Sequence, residues 1–277
     1  MSFQIKKVTG DIEDFDKEKL RRSLMRPGAS PEIADKIVNQ IERNKEHFKT
    51  TDDVYSYALT QLKETNPHIA ARYNLKKALL EFGPTGFPFE KFVDQIFKAQ
   101  GYETKIDQIV SGWCVDHEID LIVKKGNDNF MIECKFHNEQ WYKTDVQVTL
   151  YTNARFLDIA KTWSPDKKME KLTKSWVVTN TKFTDEAIKY GNCIGMGLMG
   201  WDYPKESSLP DLVDSFGLYP VTALTSLSNE QKKFFVDNGF VLCGQVHKYT
   251  GLLEQSGLKG PQLNQFVREC ELTSKVK

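Results

Sequence analysis

Two stretches, Glu118-Ile119-Asp120-Leu121-Ile122-Val123 and, after a turn, Phe130-Met131-Ile132-Glu133-Cys134-Lys135, decide the fold of this chain. A strand places alternate residues on one face. Glu133 and Lys135 therefore share a face, while Ile132 and Cys134 point the other way, into a core. Asp120 shares its face with Glu118 and Ile122, opposite Ile119 and Leu121. Gly126-Asn127-Asp128-Asn129 is a hairpin signal that brings Asp120 beside Glu133. Two carboxylates and one ammonium then occupy a single patch.

Two readings of that patch stay open on these residues. One is an exposed cross-strand ion pair, worth roughly 0–1 kcal/mol. The other is a hard-oxygen site in which Asp120 and Glu133 hold Mg²⁺ or Mn²⁺. Such a metal lowers the pKa of a bound water and stabilises charge on a phosphate. Lys135 would orient or deprotonate that water, or stabilise the pentavalent transition state. Both strands are otherwise apolar and sit between helical stretches, which favours the second reading.

Outward from this hairpin, Phe89 to Ala99 has helical spacing, with Phe89, Phe92, Val93, Ile96 and Phe97 on one face. Glu103–Val110, Asp116–Lys124 and Asn129–His137 read as strands and Thr144 to Trp163 as a long helix. Ser175–Thr179, Thr184–Tyr190 and Cys193–Met199 read as strand, helix and strand. This pattern predicts an α/β domain over 83–203, a mixed sheet flanked by helices. Gly83-Pro84-Thr85-Gly86 marks its start. The first 82 residues read as a hairpin over 3–15 and four helices opened by Asp16, Ser30-Pro31, Thr51 and Pro67. Residues 204–277 read as a small helical C-terminal region, with Gly217 and Gly239 as stops. Its short helices fit either a helix-hairpin-helix-like element that contacts phosphates or a small cap on the sheet.

The stretch from about Phe87 to Trp201 resembles the PD-(D/E)xK nucleases, particularly the Mrr-like restriction endonucleases. Phe89-Glu90-Lys91-Phe92-Val93 resembles the family's opening helix and Gly101-Tyr102-Glu103 its entry to the first strand. Asp120 and Glu133-Cys134-Lys135 match the family's acidic pair and lysine. The resemblance implies a restriction-endonuclease-like fold and metal-dependent DNA cleavage. By carry-over Asp120 and Glu133 are metal ligands, Lys135 is catalytic and Glu90 is an accessory acid. Gln147 and Tyr151, four apart on one helix face, resemble a QxxxY element that positions substrate or the lysine. The plain alternative is a polar helix face with a half-buried tyrosine. The family's glycine before its aspartate is replaced by Glu118-Ile119, so Glu118 or His117 is expected to modify the metal site.

The first 82 residues resemble an ATP-cone, a nucleotide-sensing domain. The match rests on Ile5-Lys6-Lys7-Val8-Thr9-Gly10, on Phe15-Asp16-Lys17-Glu18-Lys19-Leu20 and on Ile69-Ala70-Ala71-Arg72-Tyr73 with Lys76 and Lys77. It implies ATP or dATP as an effector, touched by Lys7, Lys19 and Lys76. The chain departs from the family at Lys7-Val8 and Tyr73-Asn74, where arginines are usual, and lysine does not replace arginine at phosphates. No Gly-rich phosphate loop followed by Lys-Ser/Thr is present, so an ATPase motor is not indicated.

Composition sets weaker bounds. Hydrophobic residues at 40% and charged residues at 27% fit a soluble globular protein. Lys plus Arg and Asp plus Glu are 38 each, so no global basic field marks a nucleic-acid partner, although local clustering would suffice. Five cysteines without a CxxC point to a reducing cytosol. The start lacks a signal-peptide run and no segment suits a bilayer, so a cytoplasmic protein without a membrane partner is expected. Cys114 with His117 and Cys134 with His137 invite a zinc reading, but strand residues three apart face opposite sides. Two other function classes remain beside the endonuclease: a non-catalytic nucleotide-sensing DNA-binding regulator, and a resolvase of branched DNA. Cutting both strands calls for two sites, so a homodimer is expected.

Overall fold

The computed structural model describes residues 3–7, 9–162 and 171–276. Val8 of the expected hairpin and Trp163, the expected end of the long helix, lie outside them. The chain forms two compact units, one from Met1–Ala78 with Tyr219–Lys275 and one from Leu79–Leu218 with the last two residues.

The first unit opens with strands β1 (Gln4–Lys6) and β2 (Ile12–Asp14), paired antiparallel. Helices α1 (Lys17–Met25), α2 (Pro31–Arg43) and α3 (Thr51–Thr65) follow. Their starts are chemically fixed. Asp16 accepts from the Lys19 N–H, Ser30 from Ile33, and Thr50 exchanges bonds with Asp53 in a capping box; each such cap contributes about 1 kcal/mol. The helix expected from Pro67 is broken in two, α4 (Pro67–Tyr73) and α5 (Leu75–Leu80). At the break, buried Asn74 spends its side chain on tertiary partners. It accepts from the Tyr55 hydroxyl at 2.5 Å and donates to the Ala223 carbonyl at 3.3 Å.

The second unit carries the sheet. Helix α6 (Phe87–Ala99) leads into β3 (Glu103–Ser111), β4 (Asp116–Lys125) and β5 (Asp128–Lys135). Short β6 (Lys143–Thr144) precedes α7 (Val146–Thr162) and β7 (Lys174–Thr179); short β8 (Lys182–Phe183) precedes α8 (Asp185–Cys193) and β9 (Gly197–Met199). The strand order is β3-β4-β5-β7-β9, antiparallel from β3 to β5 and parallel from β5 to β9. This is the expected mixed sheet flanked by helices.

Parity assigns the two faces. Leu121, Val123, Ile132 and Cys134 are buried on the α6 side, whereas Ile119, expected on the Leu121 face, joins the α7-side cluster of Met131 and Ile159. On the α6 side Trp176, paired with Ile132, stands edge-on to Phe97 at 6.0 Å. A Cβ on Gly197 would meet the Trp176 ring at 2.0 Å, so this strand position admits only glycine. Met131 faces the other way, into a cluster with Ile159 of α7. Helix α9 (Leu209–Phe216) ends on Gly217, in the left-handed conformation at φ 64°.

Three further helices, α10 (Asn229–Asp237), α11 (Thr250–Gln255) and α12 (Pro261–Thr273), belong to the first unit. The sequence reading made 204–277 one region; instead α9 stays with the sheet and 219–275 returns to the amino-terminal helices. Arg72 of α4 ties this return together by donating to the Thr273 carbonyl at 3.0 Å and the Leu272 carbonyl at 3.3 Å. Thr222 donates to the Ala78 carbonyl at 2.8 Å. No helix among the described residues is long and apolar enough to cross a membrane.

Candidate active site

The β4–β5 ladder runs from Lys125↔Asp128 to Leu121↔Ile132 and stops there. One step further the register sets Asp120 opposite Glu133. Instead of a ladder bond, the Asp120 carboxylate accepts the Cys134 N–H at 2.6 Å. The ladder ends at this point, with the carboxylate pair half-buried and the backbone donor satisfied. Cys134 lies behind them, fully buried, with its thiol pushed well up by burial.

The site holds more negative charge than it neutralises. Burial, then the Glu133 charge, push the Asp120 carboxyl up to about 6. The single Cys134 N–H and the Arg155 charge pull the other way and do not offset them. Glu90, in the first turn of α6, is pushed up to about 7 by burial and then by Asp120, Asp107, Glu118 and Glu133. Glu133 is ion-paired to Arg155 of α7 through Nη1 and Oε2. Lys135 shares the Glu133 face and makes no hydrogen bond or salt bridge among the described residues; its charge holds the His137 pKa down, after burial.

Glu90, Asp120 and Glu133 are thus brought into one electrostatic neighbourhood, and Lys135 stands two residues beyond Glu133 on the same strand. Gln147 is exposed on α7. Tyr151 is 61% exposed, and the Arg155 guanidinium lies 5.2 Å from its ring centroid. His117, expected to modify the site, is instead bonded to Asp158 at 2.9 Å. The zinc reading fails for the same kind of reason. Cys134 is in the core, His117 is taken by Asp158, and His137 bonds the Thr144 hydroxyl at 3.0 Å. No group of three or more His, Cys, Asp or Glu converges to hold a metal among the described residues.

The family model described as restriction endonuclease matches residues 84–199, and one described as AF1548-like, C-terminal, matches 219–272. An uncharacterized protein of Archaeoglobus fulgidus is 41% identical over 178 residues, spanning 64% of this chain and 97% of its own. The chain belongs to the AF1548-like family. The crystal structure of AF1548, a protein of unknown function, is 34% identical with a TM-score of 0.56, covering 69% of this chain and 98% of that one. MspJI restriction endonuclease in complex with a 27-mer oligonucleotide is 11% identical with a TM-score of 0.26, over 56% of this chain and 31% of that one, too slight to carry an argument. Residues 84–199 of this AF1548-like chain are a restriction-endonuclease-like domain, and they contain Glu90, Asp120, Glu133 and Lys135.

Two residues of the site escaped the sequence reading. Arg155 follows Tyr151 by four and extends the Gln147–Tyr151 stripe along α7, a signal that spacing alone offers. Asp107 has φ 52°, the one described non-glycine residue in the left-handed region. The pairs Ile106↔Leu121 and Gln108↔Ile119 bracket it opposite Asp120, and its charge raises both Asp120 and Glu90. Nothing in the alternation of β3 marks it.

The expected nucleotide-binding lysines sit in the first unit of this AF1548-like chain. Lys7 Nζ pairs with Glu13 at 2.6 Å, and Lys19 Nζ approaches the other Glu13 oxygen at 3.8 Å. Lys19, Glu13, Ser23, Tyr55 and Tyr73 line a cavity of ≈ 180 Å³. Lys76 is half-buried on α5 and Lys7 is not in the cavity wall.

Proposed function

We propose that this chain is a metal-dependent DNA endonuclease that hydrolyses phosphodiester bonds. The carrying observation is the Asp120–Glu133 carboxylate pair where the β4–β5 ladder ends, with Lys135 on the Glu133 face, in a restriction-endonuclease-like domain. Hard oxygen donors of this kind suit Mg²⁺ or Mn²⁺. Asp120 and the Glu133 oxygen not held by Arg155 would bind it, water and phosphate oxygens completing the shell. A divalent cation there supplies Lewis acidity toward the scissile phosphate and a more acidic water. Lys135 offers an unpaired ammonium to the charge that develops on the phosphate. Glu90, near 7, exchanges a proton close to neutral pH.

DNA as the substrate gains support from the segment after Lys135. Trp141 and Tyr142 are 46% and 57% exposed, Tyr142 stacks on His137 at 6.0 Å, and the His137 N–H is fixed to the Asn180 side chain at 2.9 Å. Exposed aromatic faces a few residues after Lys135 in the chain suit nucleobases. The test is cleavage of linear, methylated and branched DNA in Mg²⁺. Asp120→Ala, Glu133→Ala and Lys135→Ala are each expected to lower the rate by ~10³-fold. Wild-type rates in all three variants would sink the proposal. DNA binding without cleavage at any metal concentration favours the non-catalytic regulator, and cleavage confined to junctions favours the resolvase. Cleavage of both strands is proposed to use a homodimer.

The nucleotide-sensing role of the amino-terminal unit is part of the same proposal, supported by the cavity at Lys19, Tyr55 and Tyr73. ATP or dATP is expected to raise the melting temperature of the wild type and not of Lys19→Ala. An unmoved wild-type melting temperature removes the effector role.

A further inference from the structure

The Arg155 side chain is only 9% exposed, on the helix face that covers the site. A buried guanidinium costs several kcal/mol to desolvate unless its partners compensate. Two partners are present. Nη1 donates to Oε2 of Glu133, and the guanidinium carbon lies 5.2 Å from the Tyr151 ring centroid. The Tyr151 ring is itself 61% exposed, so it forms the outer wall of the guanidinium site rather than part of the core. Among the described residues, Oε1 of Glu133 is left without a hydrogen bond.

We propose that Arg155 is a positioning residue that holds the Glu133 carboxylate in place for a divalent metal ion. This rests on the nuclease reading above. The buried ion pair carries it: the Arg155 Nη1 donates to Oε2 of Glu133 and sets one positive charge at a fixed place beside that carboxylate. Arg155 also fixes the Glu133 rotamer, as partners of metal-binding carboxylates generally do. A residue in this role competes with metal for Glu133 while making the bound metal productive. Its loss therefore moves affinity and turnover in opposite directions.

The experiment is Mn²⁺ titration calorimetry on the full chain without DNA, paired with single-turnover DNA cleavage. Wild type is expected to bind Mn²⁺ measurably. Arg155→Met is expected to bind Mn²⁺ ~10-fold more tightly and to cleave ~10–100-fold more slowly. Arg155→Lys keeps the charge and loses the fork, so Mn²⁺ affinity should stay within ~3-fold while cleavage falls ~10-fold. If Arg155→Met does not fold, the lysine variant decides: unchanged affinity with slowed cleavage supports the assignment, and parallel loss of both overturns it. Weakened binding together with weakened cleavage in Arg155→Met also overturns it. A wild type that cuts no DNA overturns the nuclease reading instead, while the Mn²⁺ titration still decides the role of Arg155.

Discussion

Asp120 and Asp158 are two carboxylates of the same unit in opposite conditions. Asp158, on α7, receives the Cys114 N–H at 3.0 Å, the Val115 N–H at 3.4 Å and the His117 ring at 2.9 Å. Its carboxyl is held down to about 2, led by the His117 bond. Asp120 receives one N–H, faces Glu133, and is held up to about 6. The first is a brace, which fixes the β3–β4 turn against α7. The second is a group whose charge the fold does not satisfy, and such groups mark functional sites more often than structural ones. Residue type does not separate the two aspartates; the number of donors each receives does.

The contrast is tested hardest by charge removal at the site. Lys135→Met should cost ~10³-fold in cleavage and leave melting near wild type, because Lys135 has no described partner to lose. Next comes stability. In metal-free protein at neutral pH, Asp120→Asn should raise stability by about 1–3 kcal/mol, since it removes a repelled, half-buried charge and keeps an acceptor for Cys134. Asp158→Asn should lower the melting temperature. Thermal unfolding of the two variants side by side checks this, and shifts of the same sign would break the contrast.

Acid sharpens it further. Asp158 has a depressed folded pKa, so its stabilising effect is present above the ordinary aspartate value and is lost as pH falls toward about 2. The melting gap between wild type and Asp158→Asn should therefore be widest at neutral pH and close progressively in acid. A gap that is flat with pH would deny the brace. The smallest effect belongs to Tyr151. Tyr151→Ala should weaken the Arg155 contact by about 0.5–1 kcal/mol, and Tyr151→Phe should change little, as the ring face is kept. Cleavage rates of the two variants separate a ring-face role from a hydroxyl role.

Much of the site was legible because strand parity is local. Ile132 and Cys134 behind Glu133 and Lys135, and the turn at Asn127, fix the carboxylate pair from a dozen neighbouring residues. The mixed sheet was legible for the same reason, from the change of period at Gly83 to Gly86. Arg155 was not, because its meeting with Glu133 spans 22 residues and depends on how α7 rotates over the sheet. Asp107 was not, because a positive φ at aspartate leaves no trace in an alternating strand. The return of 219–275 to the first unit rests on Arg72 reaching carbonyls some 200 residues away, beyond any local pattern. Lys7 and Lys19 were read as phosphate ligands, yet both approach Glu13 of β2.

The most direct measurement is nicking of supercoiled plasmid DNA across a Mg²⁺ series by wild type, Asp120→Asn and Asp158→Asn. Wild type and Asp158→Asn should both nick in proportion to bound Mg²⁺, and Asp120→Asn should not. Nicking by Asp120→Asn at the wild-type rate, or no nicking by wild type at any Mg²⁺ concentration, would contradict the account.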